Sequence, residues 1–128
     1  MPTDPEPLNT LAVVLGTILS FLFGWLLYSP KVFGKGWAEG SGVKLGAASE
    51  MPVFAMAAQL AALFLLALVI GLTAMVSALW TAILAILAAA MFVVSTGAFV
   101  KKSGFAILVD GGYILGSGAI MILCQGLL

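Results

Sequence analysis

The chain has 128 residues, 63% of them hydrophobic and 8% charged, whereas about a quarter of a soluble domain's residues carry charge. Lysines and acids balance at five each with no arginine, so there is no basic face for nucleic acid and no guanidinium fork for phosphate or carboxylate. With no histidine and the single cysteine Cys124, one chain cannot build an intramolecular disulfide, a thiolate cluster or an imidazole-based metal or acid/base site; the expectation is a membrane protein that is no enzyme and holds no cofactor.

The N-terminal MPTDPEP is acidic and proline-rich, unlike a secretory signal, so the first apolar run is expected to be retained. That run, residues 8–28, is long enough to cross a hydrocarbon core of about 30 Å. Ser29 to Glu50 contains three lysines, two glutamates and five glycines and reads as an interfacial loop, with Ser49 or Glu50 available to cap the next helix. Pro52 to Val100 is uncharged and as one helix would run about 70 Å, too long for one crossing. It is read as a hairpin with spans 52–72 and 77–100 and a turn near Gly71 to Ser77, although no strong turn dipeptide marks it. Lys101 to Gly104 form a basic turn, and 105–127 is the last span.

The fold class that follows is all-α: one integral membrane domain over 1–128, a four-helix bundle made of two helical hairpins. Lysines fall only in the first and third connections. The positive-inside rule then places both termini outside the cytoplasm. The expected partners are the lipid bilayer and either further copies of the chain or a larger membrane complex.

The stretch from Gly24 to Trp37, GWLLYSPKVFGKGW, has a distinctive pattern. Gly24, Trp25, Tyr28, Ser29, Pro30, Phe33, Gly34, Lys35 and Trp37 resemble the bacterial family of small four-span membrane proteins named domain of unknown function 1761. The last span is similar to that family's too, through Lys101, Lys102, Asp110, Gly112 and Tyr113; the two middle spans resemble it in hydropathy and length. The resemblance implies a four-span fold in a bacterial inner membrane and implies no activity.

Read physically, Tyr28, Phe33 and Trp37 suit a headgroup belt, with Pro30 ending the helix at the boundary. If the segment after Pro30 coils, Gly34 and Gly36 should weaken it. A depth-fixing anchor is the plain expectation, and a lipid or partner site is its alternative.

Two further patterns concern packing. Gly16, Ser20 and Gly24 give the first span a small face, and Gly112 and Gly116 give the last span another, opposite a stripe of Ser103, Asp110, Ser117 and Cys124. Ser77, Thr81, Ala88 and Ser95 form a polar or small stripe on the third span, available to point inward.

Asp110 is the one charge within a span. An ionised aspartate deep in a span costs about 2.5–3.5 kcal/mol on insertion scales, less near the interface, so it has to be compensated. Counting about 1.5 Å per residue from the basic ends puts Asp110 about 10 Å below the boundary. Gln59, Ser95 and Thr96 come out near the same level. The expectation is a polar layer of Asp110, Gln59, Ser95 and Thr96, with Lys102 a second available partner. As glue it would fix helix register; as a pathway it would place Asp110 in a small transporter or channel. A quinone, pigment or lipid held between helices would leave little trace in one sequence.

Overall fold

The computed structural model describes residues 7–43 and 53–128. It is all-helical there: α1 (Thr10–Leu27), α2 (Gly34–Ser41), α3 (Val53–Met75), α4 (Leu79–Phe99) and α5 (Gly104–Leu127). α1, α3, α4 and α5 are each long and apolar enough to cross a membrane. The expected start of the second span at Pro52, its cap at Ser49 or Glu50, and the acidic residues of the N-terminal tail lie outside the described residues.

The helix ends have local causes. Asn9 caps α1 by accepting from Ala12 N–H at 3.1 Å, and Ser103 caps α5 by accepting from Ala106 N–H, also at 3.1 Å; each satisfies one of the donors that a helix start leaves unpaired. α2, α3 and α4 end alike. One residue turns left-handed, Gly42 at φ 72°, Ser77 at φ 54° and Lys101 at φ 60°. The next N–H then bonds back across the last turn: Val43 to Ala38 O, Ala78 to Thr73 O and Lys102 to Gly97 O. Only the first of these closures uses glycine. Because the α3–α4 turn is made by Ser77, it carries no turn dipeptide, and α3 runs on to Met75, past the expected end at residue 72. Gly71, placed in that turn by sequence, lies inside α3, where an added Cβ would sit 2.8 Å from a Val13 methyl.

α5 is the hub and touches all four other helices, while α3 packs on both α1 and α4. The core is formed by Val13, Leu63, Ala67, Ile70, Ala82, Ile86, Tyr113 and Met121. The outside is lined with large exposed apolar side chains such as Phe54, Leu65, Leu84, Met91, Phe92 and Leu108, which is what a helix surface solvated by hydrocarbon requires.

α1 meets α5 antiparallel in an even register. An added Cβ at Gly16 would come 3.3 Å from Met121 Cγ, Ser20 Oγ donates to Ser117 O at 3.4 Å, and a Cβ at Gly24 would lie 2.8 Å from the Tyr113 ring. Each four-residue step along α1 is met by a four-residue step back along α5. Small residues at those positions let the two backbones approach closely.

The small residues of α5 divide differently from the sequence reading. Gly116 does pack, against Phe23, but Gly112 faces outward with nothing within 4 Å of an added Cβ. Close approach to α4 falls instead to Gly111 against Val94 and Gly118 against Ile86. α4 is also turned relative to expectation: Ala82, Ile86, Ala90 and Gly97 are buried, while Ser77, Thr81, Ala88 and Ser95 are exposed. The smaller and apolar residues make the tighter seam with α5. A Ser or Thr hydroxyl can return its hydrogen bond to a carbonyl one turn back, so it does not require the bundle interior.

Candidate functional site

The site is assembled at the end of the bundle where α1 stops, α2 lies and α5 begins. The chain leaves α1 at Tyr28 and folds back on itself. Gly34 N–H donates to Ser29 O at 2.8 Å and Phe33 N–H to Leu27 O at 3.2 Å. This closes a turn around Pro30, which is itself exposed, and starts α2 directly after it.

α2 is not a separate surface feature; it packs on α5. Of the two glycines expected to weaken it, Gly34 packs on the Tyr28–Ser29 backbone and Gly36 is a contact point with α5, as is Gly40. A Cβ at Gly36 would lie 2.6 Å from Phe105 Cε1, and Ser103 N–H donates to Gly40 O at 2.9 Å. Phe33 stacks edge-on against Phe105 with ring centroids 5.9 Å apart. α2 therefore costs helix propensity and gains a close seat on α5.

That seat brings Trp37 inward. Asp110, 8% exposed on α5, receives three donors. The Tyr28 hydroxyl donates to Oδ1 at 2.5 Å, the Trp37 indole N–H donates to Oδ1 at 2.8 Å, and Lys102 Nζ pairs with Oδ2 at 2.8 Å. The partners also hold one another. Tyr28 and Trp37 meet edge to face at 5.0 Å, Tyr28 and Tyr113 at 5.6 Å, and the Lys102 ammonium lies 5.5 Å from the centre of the Trp37 ring, within range of a cation–π attraction. Hydrogen bonds that include an ammonium–carboxyl pair in a site from which water is largely excluded are of the strong class.

Tyr28 stands just past the end of the α1 span. Burial, and then the hydrogen bond and negative charge of Asp110, push its phenol well above the ordinary tyrosine range. It therefore remains a donor throughout the physiological range.

Of the other expected members of the layer, Gln59 and Ser95 lie elsewhere and Thr96 shares a pocket with Asp110 without bonding to it. Gln59, half-buried on α3, approaches the Tyr113 phenol, as does Ser117, so it sits one turn along α5 from Asp110. Ser95 is exposed. Thr96 is exposed too, but it lines an open pocket of about 240 Å³ between α4 and α5, with Phe92, Val93, Gly97, Lys102 and Asp110. The reason is angular: depth counting fixes a level, and the α4 face turned inward near that level is the one with the buried Ala90 and Gly97, the latter against Ile107 of α5.

Tyr28 and Trp37 were legible as interfacial aromatics but not as the aspartate's donors. The available signal was chemical. Both carry an N–H or O–H that seeks an acceptor when buried, and Asp110 is the one acid within a span. Among the described residues no group of three or more His, Cys, Asp or Glu is placed to hold a metal ion.

The model of the family described as "Protein of unknown function (DUF1761)" matches residues 11–126. The chain belongs to this family. With its four membrane-length apolar helices, this DUF1761 member is a multi-pass membrane protein. The match runs from the start of α1 to the end of α5 and so includes all four residues of the Asp110 cluster. No curated protein and no solved structure matches the chain.

Proposed function

We propose that this DUF1761 chain is a non-enzymatic protein of the bacterial inner membrane, acting as an oligomer or as an accessory subunit of a larger membrane complex, with both termini outside the cytoplasm. The observation that carries this reading is the use made of Asp110. Its three donors come from the end of α1, from α2 and from the turn before α5, so the carboxylate joins segments of the chain that the rest of the fold must position. The broad apolar exposure of α3 and α4 supports the second half of the proposal, because such faces are available to neighbouring helices as well as to lipid. Native mass spectrometry after gentle extraction tests it: a defined multimer or a stoichiometric partner subunit is expected, and a monomer at native expression level with no retained partner would sink it. Reporter fusions at Leu128 test the orientation.

A small transporter or channel using Asp110 is the second reading, favoured by the pocket that reaches Asp110 from between α4 and α5. In proteoliposomes it requires a pH-dependent flux that Asp110→Asn removes. An absence of flux from the wild type, with Asp110→Asn failing to assemble, would leave only the structural role.

A further inference from the structure

From the groove between α4 and α5 we infer a selective site for one anionic phospholipid, its phosphate held by Lys102 and Thr96 and an acyl chain laid along Phe92 and Val93. This goes beyond the assembly role proposed above and does not depend on it.

The groove has the polarity of a phospholipid. Its walls are apolar, with Phe92 75% exposed and Val93 one position on, and its upper end carries the exposed Thr96 hydroxyl and the Lys102 ammonium. Gly97 keeps it open. A side chain there would press on Ile107 at 3.2 Å and on Lys102 Cδ at 3.4 Å, so the lysine stem lies along the glycine and carries its charge to the groove. The position along the membrane normal also fits. Lys102 follows the last residue of α4 by three positions and precedes α5, which roots its side chain at the basic end of the spans; the ammonium reaches down past Gly97 to Asp110, and Phe92 lies about two turns below the end of α4.

Charge decides the headgroup. The ammonium has three N–H groups, and one is committed to Asp110 Oδ2; the remaining two suit a phosphate, which accepts from several donors at once. Asp110 offsets only part of the local positive charge. Among the described residues this end of the bundle carries Lys31, Lys35, Lys101 and Lys102 against Glu39 and Asp110; Asp110 balances Lys102 inside the groove, and the net positive end around it attracts lipid with net negative charge. A zwitterionic lipid with an ammonium would have to place that ammonium below its own phosphate to reach Asp110. A phosphatidylglycerol-type headgroup has no such conflict.

The test uses the full chain reconstituted in phosphatidylcholine nanodiscs with a minor fraction of phosphatidylglycerol, and native mass spectrometry to count retained lipids. The wild type should retain one phosphatidylglycerol with about a tenfold preference over phosphatidylcholine. Thr96→Phe fills the groove from an exposed position and leaves the Lys102–Asp110 pair in place; it should cut that retention at least fivefold with helicity unchanged. The paired change Lys102→Gln with Asp110→Asn keeps the groove but replaces the ion pair with neutral amides, and it should bring the preference close to one. Equal retention of the two lipids by the wild type, or undiminished phosphatidylglycerol retention in Thr96→Phe, would overturn the site; if Thr96→Phe loses helicity, the lipid preference of the paired variant decides.

Discussion

The α1–α5 seam and the α3–α4 hairpin are built from similarly apolar helices but are held by different means. Of the most apolar stretch of each helix, 44% is buried in α5 and 17% in α3. α5 is also the least hydropathic of the four and α3 the most. In water this ranking would be reversed. In lipid the most apolar helix gains nothing by hiding, and the helix with an aspartate, a tyrosine, a serine and several glycines is the one that needs protein around it. The α1–α5 seam adds directional bonds to close backbone approach, whereas the α3–α4 turn is closed by its own backbone around a strained Ser77.

The comparison breaks most readily at Asp110. Replacing it with alanine leaves Lys102, Trp37 and Tyr28 without their acceptor and should cost about 3 kcal/mol, the lower end for breaking a buried pair because Lys102 can reach solvent; reversible unfolding in mixed micelles measures it. Next comes the seam itself. Gly24→Ala puts a methyl group 2.8 Å from the Tyr113 ring and should cost about 2 kcal/mol through overpacking, while Gly112→Ala, in open space, should be neutral or gain up to about 1 kcal/mol. Equal effects at the two glycines would show that the α1–α5 approach is looser than described.

Tyr28→Phe removes one bond to a charged acceptor, for about 1.5 kcal/mol. It also carries a pH signature. The Tyr28 phenol is raised above its ordinary value in the folded chain, so its contribution is fully present below about pH 10 and is lost as the pH climbs beyond that. Thermal midpoints should fall from pH 10 upward in the wild type, and that fall should be shallower in Tyr28→Phe. The smallest effects are expected in the hairpin. Ser77→Gly relieves a left-handed serine and should gain about 1 kcal/mol, and Ser95→Ala should stay within about 0.5 kcal/mol.

Much of the fold was legible because length and charge are strong constraints in a membrane: an uncharged run of about 70 Å has to fold back on itself. The α3–α4 turn was less so, since its left-handed residue is a serine and the signal sought was glycine or proline. The site was half legible. Asp110 stood out, Lys102 was within reach, and Tyr28 and Trp37 were noticed for their amphipathic rings. Their convergence was hidden because it depends on α2, whose glycines argue against a helix in local terms and favour one only when Phe105 and Ser103 of α5 are opposite. Gln59, Ser95 and Thr96 were grouped by depth alone, and depth does not determine which way a helix is rotated.

Tyr28 and Asp110 are 82 positions apart in the chain, and that separation sets an order of events. A chain made from its N-terminus exposes α1 and α2 long before their acceptor exists, and domains generally form in the order they emerge. Until α5 enters, the Trp37 indole and the Tyr28 phenol can bond only to water and headgroups. The α5 span, made after α1, α3 and α4, therefore locks α1, and a ribosome stalled before Asp110 would leave those three spans in the membrane with the interfacial segment still undocked.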